Sequence, residues 1–169
     1  MNLIGRFKGV VDSMIYLFVG PFTVIGTVPL LLMDFDASLG LARWSSETAS
    51  STGYLIMNLG AALALWCTWL MHRHGGTPIP SAPASQIVRS GPYAMVRHPM
   101  MHSLLIVGVG ELLVTGSLFM LLWIAVAMRA GVQFIANYEE PVLVARYGSA
   151  YLAYCEAVPR WMPKWSDNR

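Results

Sequence analysis

Long apolar runs separated by short polar segments make up most of this chain. A helix needs about 20 apolar residues to cross the hydrocarbon core of a bilayer, and two of the runs have that length. The last apolar stretch is too long for one span and is interrupted by Thr-Gly-Ser at 115–117, which favours two antiparallel helices joined by a tight turn. The pattern therefore predicts an all-α integral membrane fold with about four transmembrane helices. The predicted spans are 14–33, 53–71, 101–115 and 118–136.

The distribution of basic residues between the spans predicts their orientation, since basic residues collect on the cytoplasmic side. Arg6 and Lys8 precede the first span, whereas acidic residues outnumber the single arginine in the loop after it. Basic residues return in the loop 72–100 and in the C-terminal segment 137–169. Both termini and both of these segments are therefore predicted to be cytoplasmic. Within the C-terminal segment, 141–156 is expected to form an amphipathic helix at the membrane surface.

Composition strengthens the membrane prediction. Hydrophobic residues make up 56% of the 169 residues and charged residues only 12%, against roughly a quarter in soluble domains. A soluble protein of this size could not bury so much apolar surface, so 1–169 is expected to form a single membrane domain. The net charge of +2 is spread along the chain, which makes nucleic acid an unexpected partner. Cys67 and Cys155 are expected to be free thiols, and no metal site is predicted.

Polar residues at the membrane boundary are costly, so they mark candidate sites. Arg97 and His98 precede Pro99, which suits the first turn of the third span, where free N–H groups favour an anionic ligand. A basic anchor for lipid headgroups is the alternative interpretation. At the end of the fourth span, Glu139 and Glu140 oppose the helix dipole. They therefore call for either a cationic partner or a solvated position.

The hairpin of the third and fourth spans is expected to bring these two sets together. Arg129, within the fourth span, falls at roughly the depth of His102 and joins them. Histidine, arginine and paired carboxylates next to hydrocarbon predict a pocket for a zwitterionic or cationic cofactor beside a lipid acceptor. The segment 158–165 alternates tryptophan, proline and basic residues and is interpreted as an interfacial anchor. Glu111 is expected to face the outer interface.

Three strings contain most of these residues: GPYAMVRHPM, GELLVTGS and YEEPVLVARYGSAYLAYCEAVPRWMP. In order and spacing they resemble the integral-membrane methyltransferases of the isoprenylcysteine carboxyl methyltransferase and phospholipid N-methyltransferase group, most closely the bacterial members. The resemblance covers about 77–163. It implies an enzyme of the bacterial inner membrane that uses S-adenosylmethionine and releases S-adenosylhomocysteine. The residues that it implies for cofactor binding are Tyr93, Arg97, His98, Glu139 and Glu140.

The chain departs from the family pattern directly after the Arg-His-Pro string. The family usually has a tyrosine and then a glycine there, whereas this chain has Met101, His102 and Ser103. The departure removes a hydroxyl and a ring from the expected site. His102 is a candidate to replace them or to contact the acceptor.

Methyl transfer is an in-line displacement, so positioning and exclusion of water are expected to supply most of the acceleration. If the acceptor is an amine, His98 or His102 is expected to take up its proton, and if it is an anion, Arg97 or Arg129 is expected to orient it. The expected acceptor is a membrane lipid of the isoprenylcysteine carboxylate or phospholipid amine type. Two alternatives stay open: methyl transfer to a small thiol or quinone-like acceptor, and a non-catalytic lipid-binding membrane scaffold.

Overall fold

The computed structural model describes residues 18–41, 43–76 and 84–163, and within these ranges the chain contains helices and no strand. The all-α prediction is therefore confirmed for the described residues. Two π-helical segments, Phe18–Thr27 and Ile135–Glu139, accompany the α-helices. The α-helices are α1 Val28–Ser38, α2 Glu47–Arg73, α3 Pro92–Met95, α4 Pro99–Thr115, α5 Leu118–Phe134, α6 Glu140–Tyr147 and α7 Ser149–Ala157.

Two helical stretches are long and apolar enough to cross a membrane. One is α2, with 27 residues, and the other is the continuous helix Leu118–Tyr147, with 30. Their apolar side chains are largely exposed, as at Leu65 of α2, which is 70% exposed, and at Val126 of α5. A core helix of a soluble protein would bury such side chains, whereas lipid accepts them. These two helices correspond to the predicted second and fourth spans.

The other two predicted spans are not among these two long helices. Helix α4 begins at Pro99, as the proline predicts, and its 17 residues contain the whole predicted span 101–115 but fall short of the about 20 that cross a bilayer. Residues 14–17 of the predicted first span lie outside the described residues, and the remainder is the π-helical segment Phe18–Thr27 followed by α1. The basic N-terminal tail, residues 77–83 of the cytoplasmic loop and the end of the chain from 164 also lie outside them. Four spans, their orientation and a single domain stay predictions.

The chain forms two compact units. The first comprises the described parts of Met1–Ala62 together with Ser103–Ala130, and the second comprises those of Leu63–His102 and Gly131–Arg169.

In the first unit, glycines let α2 and α4 approach closely. A Cβ atom on Gly53 would lie 2.6 Å from the carbonyl oxygen of Gly110, and one on Gly60 would lie 3.0 Å from that of Ser103. Small residues at such contacts are typical of membrane helices, which gain stability from close packing because lipid gives no hydrophobic drive for association. The small side chains of α2 thus serve packing within the chain.

The predicted turn at 115–117 is confirmed, and it also belongs to the first unit. Helix α4 ends at Thr115, Gly116 has a φ of 58°, and α5 begins at Leu118. The Ser117 hydroxyl accepts a hydrogen bond of 3.0 Å from the N–H of Met120, which caps α5. Trp44 contributes a further bond from its N–H to the Gly116 carbonyl, over 3.4 Å.

The C-terminal helices of the second unit differ from the prediction of one helix over 141–156. Gly148, with a φ of 56°, breaks the stretch into α6 and α7, so the single amphipathic helix is wrong. Before α6, Pro141 has no N–H to donate to the carbonyl of Asn137. The α-helical hydrogen-bond ladder is interrupted there, which explains the π-helical segment Ile135–Glu139.

Hydrogen bonds from side chains hold the segment before α4 against α6 and α7 in the second unit. The buried Tyr154 hydroxyl donates to the carbonyl of Tyr93 over 2.7 Å, and the Tyr147 hydroxyl donates to the carbonyl of Ala84. Arg89 adds a bond of 2.8 Å to the carbonyl of Ala150. The segment that carries Tyr93 and Arg97 is therefore fixed from three points.

Candidate functional site

A buried carboxylate organises the polar residues of the second unit. Glu140, at the start of α6, accepts a hydrogen bond of 2.9 Å from Nη1 of Arg97 and one of 3.1 Å from Nε2 of His98, both at Oε1. Arg160 donates to both carboxylate oxygens, from Nε to Oε1 over 3.0 Å and from Nη2 to Oε2. We call Arg97, His98, Glu139, Glu140 and Arg160 the Glu140 cluster.

Arg97 is held by its main chain as well as by its side chain. Its N–H donates to the carbonyl of Pro159 over 3.0 Å, and Nη1 also lies 3.2 Å from Sγ of Cys155. The segment before α4 and the segment after α7 are therefore joined at Arg97. Cys155 and Cys67 are both free thiols, as the sequence predicts.

His98 lies between the two carboxylates. Its Nε2 faces Glu140, and its Nδ1 is 3.6 Å from Oε1 of Glu139. Burial alone would lower the pKa of the imidazole, but its contacts with Glu139 and Glu140 outweigh burial and raise that pKa above the ordinary 6.5. Both ring nitrogens donate when the ring is charged, so the arrangement favours the imidazolium form.

The two adjacent glutamates differ in accessibility. The Glu140 side chain is 11% exposed and is bonded on both oxygens, whereas that of Glu139 is 28% exposed and pairs only with His98 among the described residues. The π-helical segment ends at Glu139, and its turn is wider than an α-helical one. With this geometry the side chains of Glu139 and Glu140 both face the imidazole of His98. The hydrogen bonds of Glu140 are thus all made within the cluster, whereas Glu139 has an oxygen that is accessible to a bound molecule.

His102 lies one turn along α4 from His98. Its Nδ1 is 3.1 Å from the carbonyl oxygen of His98, and its Nε2 is 2.8 Å from that of Trp161. The Trp161 ring also lies 5.8 Å from the His98 ring, measured between centroids. His102 therefore ties the Trp161 segment to the start of α4.

Three buried polar atoms in or beside the cluster have no nitrogen or oxygen partner among the described residues, and the two hydroxyls have only the weakly bonding thiols of Cys67 and Cys155 beside them. They are the hydroxyls of Tyr93 and Tyr151 and Nε of Arg97. Burial, together with the nearby thiols and carboxylates, raises the pKa of both hydroxyls, so both remain protonated donors. Buried donors without partners are rare in native proteins and call for an unseen acceptor.

The structure brings together five of the residues predicted from the sequence: Tyr93, Arg97, His98, Glu139 and Glu140. Arg129 is an exposed residue of α5 in the first unit, and its catalytic role stays a prediction. Arg160 is a further residue of the site, which the sequence does not reveal because the composition of 158–165 is typical of a membrane anchor. Two adjacent glutamates at a helix end require a cationic partner. A search of the sequence for that partner is what could have identified Arg160.

The sequence matches a known family over the part of the chain that contains most of this site. Residues 48–150 match the family model for phospholipid methyltransferase, which is more than half of the chain. The chain belongs to the phospholipid methyltransferase family. As a family member it is a membrane methyltransferase with a lipid-like substrate, in agreement with its two exposed apolar helices. The match includes both glutamates and ends before Arg160. Among curated proteins no match was found.

Proposed function

We propose that this protein transfers the methyl group of S-adenosylmethionine to a lipid-like acceptor at the cytoplasmic membrane face, with the Glu140 cluster as the cofactor site. The observation that carries this proposal is the charged cluster with buried donors that lack partners. Such donors fit a ligand with its own acceptors, and family membership supplies the reaction class.

The residues of the cluster fit the polar groups of this cofactor. Arg97, Arg160 and charged His98 place three positive charges against the two negative charges of Glu139 and Glu140, which leaves one positive charge in excess. That excess suits the methionine carboxylate, which the partnerless Nε of Arg97 would bind.

The remaining cofactor groups find partners in the same unit. The accessible oxygen of Glu139 would accept a hydrogen bond from the amino group of the cofactor. The Tyr93 and Tyr151 hydroxyls would donate to the carboxylate or to the ribose hydroxyls. Glu140, which the sequence also assigns to cofactor binding, would act by fixing Arg97 and His98 in place.

When bound, the cofactor supplies an electrophilic methyl group on a sulfonium. The protein holds donor and acceptor in line and excludes water, which is where most of the acceleration of such a displacement comes from. His98 does not accept a proton while it is charged, so its role is to orient the carboxylates. For an amine acceptor, the proton would pass to His102, the other histidine that the sequence assigns to this step, whose ring nitrogens both face carbonyl oxygens.

The test is calorimetric binding of S-adenosylmethionine to the protein in lipid nanodiscs. We expect wild-type protein to bind and Glu139→Gln to lose at least about tenfold in affinity, because a charge-assisted hydrogen bond is lost. Glu156→Gln is the matched control, since Glu156 is an exposed carboxylate on α7. Absence of wild-type binding, or equal affinity in both variants, would contradict the assigned site.

The acceptor is identified by transfer of a labelled methyl group into membrane extracts. Label in an acid-stable lipid amine indicates a phospholipid-type acceptor, and label released by mild base indicates a carboxyl ester. Label in a volatile thioether or a quinone-like product indicates the small-molecule alternative. Absence of both cofactor binding and methyl transfer would favour the lipid-binding scaffold.

A further inference from the structure

An exposed asparagine lies near the middle of α2, one of the two helices long enough to cross a membrane. This helix runs from Glu47 to Arg73, so Asn58 lies about 17 Å from its first residue and about 22 Å from its last. The hydrocarbon core of a bilayer is about 30 Å thick, so a helix centred in it holds Asn58 within the hydrocarbon. Water is absent at this depth, and lipid headgroups lie outside it.

The amide of Asn58 is only partly satisfied by its own helix. One N–H of Nδ2 donates to the carbonyl of Tyr54 over 2.7 Å. The second N–H and Oδ1 have no partner in the described part of the chain. A polar group without a partner is costly in hydrocarbon, so this amide favours a partner that approaches α2 from its exposed side.

The residues around Asn58 let another helix approach closely. Four exposed residues repeat at intervals of three and four, and therefore share one side of α2: Ser51, Leu55, Asn58 and Ala62. Asn58 is about 140° around the helix axis from Gly53, which contacts α4, so this side does not take part in that packing. The small side chain of Ala62, one turn from Asn58, is typical of contacts between membrane helices.

We propose that this side of α2, from Ser51 to Ala62, is a contact between two copies of the chain, with the two Asn58 amides hydrogen-bonded to each other. All copies of one chain take the same orientation in a membrane, because the same basic residues set it. A second copy therefore presents an identical amide at the same depth. An amide is both donor and acceptor, so each Oδ1 accepts from the second N–H of the other across a two-fold axis. The contact lies in the first unit and does not depend on the proposed cofactor site.

The experiment measures the dimer fraction of the purified full chain in phosphatidylcholine vesicles as the lipid-to-protein ratio is raised. The signal is energy transfer between donor-labelled and acceptor-labelled molecules. We expect wild-type protein to dimerise, and Asn58→Leu to require about tenfold more protein per lipid for the same dimer fraction, because hydrogen bonds between the helices are lost. Asn58→Gln keeps the amide and should retain more of the dimer than Asn58→Leu does.

Thr52→Ala is the matched control for loss of a polar group. Thr52 is also exposed on α2, its hydroxyl donates to the carbonyl of Thr48 over 2.9 Å, and it lies about 120° around the axis from Asn58. The dimer fraction of Thr52→Ala should equal that of wild type.

Ala62→Phe tests the close approach of the two helices. The larger ring should weaken the dimer at least as much as Asn58→Leu does, whereas Leu59→Phe, at an exposed position on another side of α2, should not. Helical circular dichroism and the thermal midpoint verify that each variant is folded. Monomeric wild-type protein at every lipid ratio would overturn the proposal, and so would a dimer that survives in both Asn58→Leu and Ala62→Phe.

Discussion

Arg160 donates two hydrogen bonds to the carboxylate of Glu140, one from Nε to Oε1 over 3.0 Å and one from Nη2 to Oε2. Each carboxylate oxygen thus has a guanidinium donor from the segment that follows α7. Arg97 and His98, from the segment before α4, contact the same carboxylate. Glu140 therefore joins two segments that are far apart in sequence, and its surroundings lead to the first prediction.

Arg160→Lys should lower stability although it keeps the charge. A lysine ammonium is a point charge and does not reproduce the paired bonds of the guanidinium. Because Arg160 is partly exposed, we expect a loss of about 1 kcal/mol, seen as a fall of a few degrees in the thermal midpoint. The control is Arg146→Lys at an exposed position on α6. Equal midpoints for the two variants would show that the paired geometry is unimportant.

The stability contributed by His98 should depend on pH. The pKa of His98 is raised in the folded chain, so its contribution is complete below the unfolded value near 6.5 and is lost as pH rises through the folded pKa. The thermal midpoint of wild type should exceed that of His98→Asn most at about pH 6, and the difference should shrink toward about pH 9. The same pH series on His98→Gln, which also lacks the titratable ring, should reproduce the trend. A difference that grows with pH would mean that the neutral ring is the stabilised form.

Two neighbouring tyrosines should respond differently to loss of the hydroxyl. Tyr154→Phe removes the bond to the buried carbonyl of Tyr93 and should cost about 1–2 kcal/mol. Tyr151→Phe removes a hydroxyl that has no partner among the described residues, so stability should be unchanged or higher. The affinity of Tyr151→Phe for S-adenosylmethionine should nevertheless fall, because the hydroxyl is a proposed donor to the cofactor. Thermal unfolding and calorimetry on both variants measure the two effects, and equal destabilisation would contradict this assignment.

Two glycines with similar backbone angles should also differ. Gly116 and Gly148 have φ values of 58° and 56°, which strain an alanine. A Cβ at Gly148 meets nothing within 4 Å, whereas one at Gly116 would lie 2.9 Å from the main-chain nitrogen of Trp44. Gly148→Ala should therefore cost about 1–2 kcal/mol from backbone strain alone, and Gly116→Ala should cost more. Thermal midpoints compare the two, and the reverse order would mean that the turn at Gly116 yields more easily than α6 and α7 do.

The sequence was sufficient for the helical fold, the turn at 115–117 and the meeting of His98 with Glu139 and Glu140. These follow from apolar run length and from the geometry of a helical hairpin, which are local properties. The break at Gly148 was missed because the apolar pattern continues across it, and a glycine within a helical pattern does not by itself require a positive φ.

The partnership of Arg160 with Glu140 could not be predicted for a different reason. It joins residues that are 20 positions apart, with the break at Gly148 and the whole of α7 between them, and no local pattern encodes such a contact. The composition around Arg160, with two tryptophans and prolines, is equally typical of an interfacial anchor. The difference in accessibility between Glu139 and Glu140 also depends on this contact. The two glutamates therefore cannot be distinguished from the sequence.

The π-helical segment before Glu140 makes the length of this stretch as important as its residues. A π-helical turn holds about one residue more than an α-helical turn, so the segment Ile135–Glu139 takes up one residue without turning the side chains after it relative to those before it. In a regular α-helix the same extra residue would turn every later side chain by about 100°. A relative that lacks one residue here and forms a regular helix would therefore direct both glutamates as this chain does, although an alignment would show a gap.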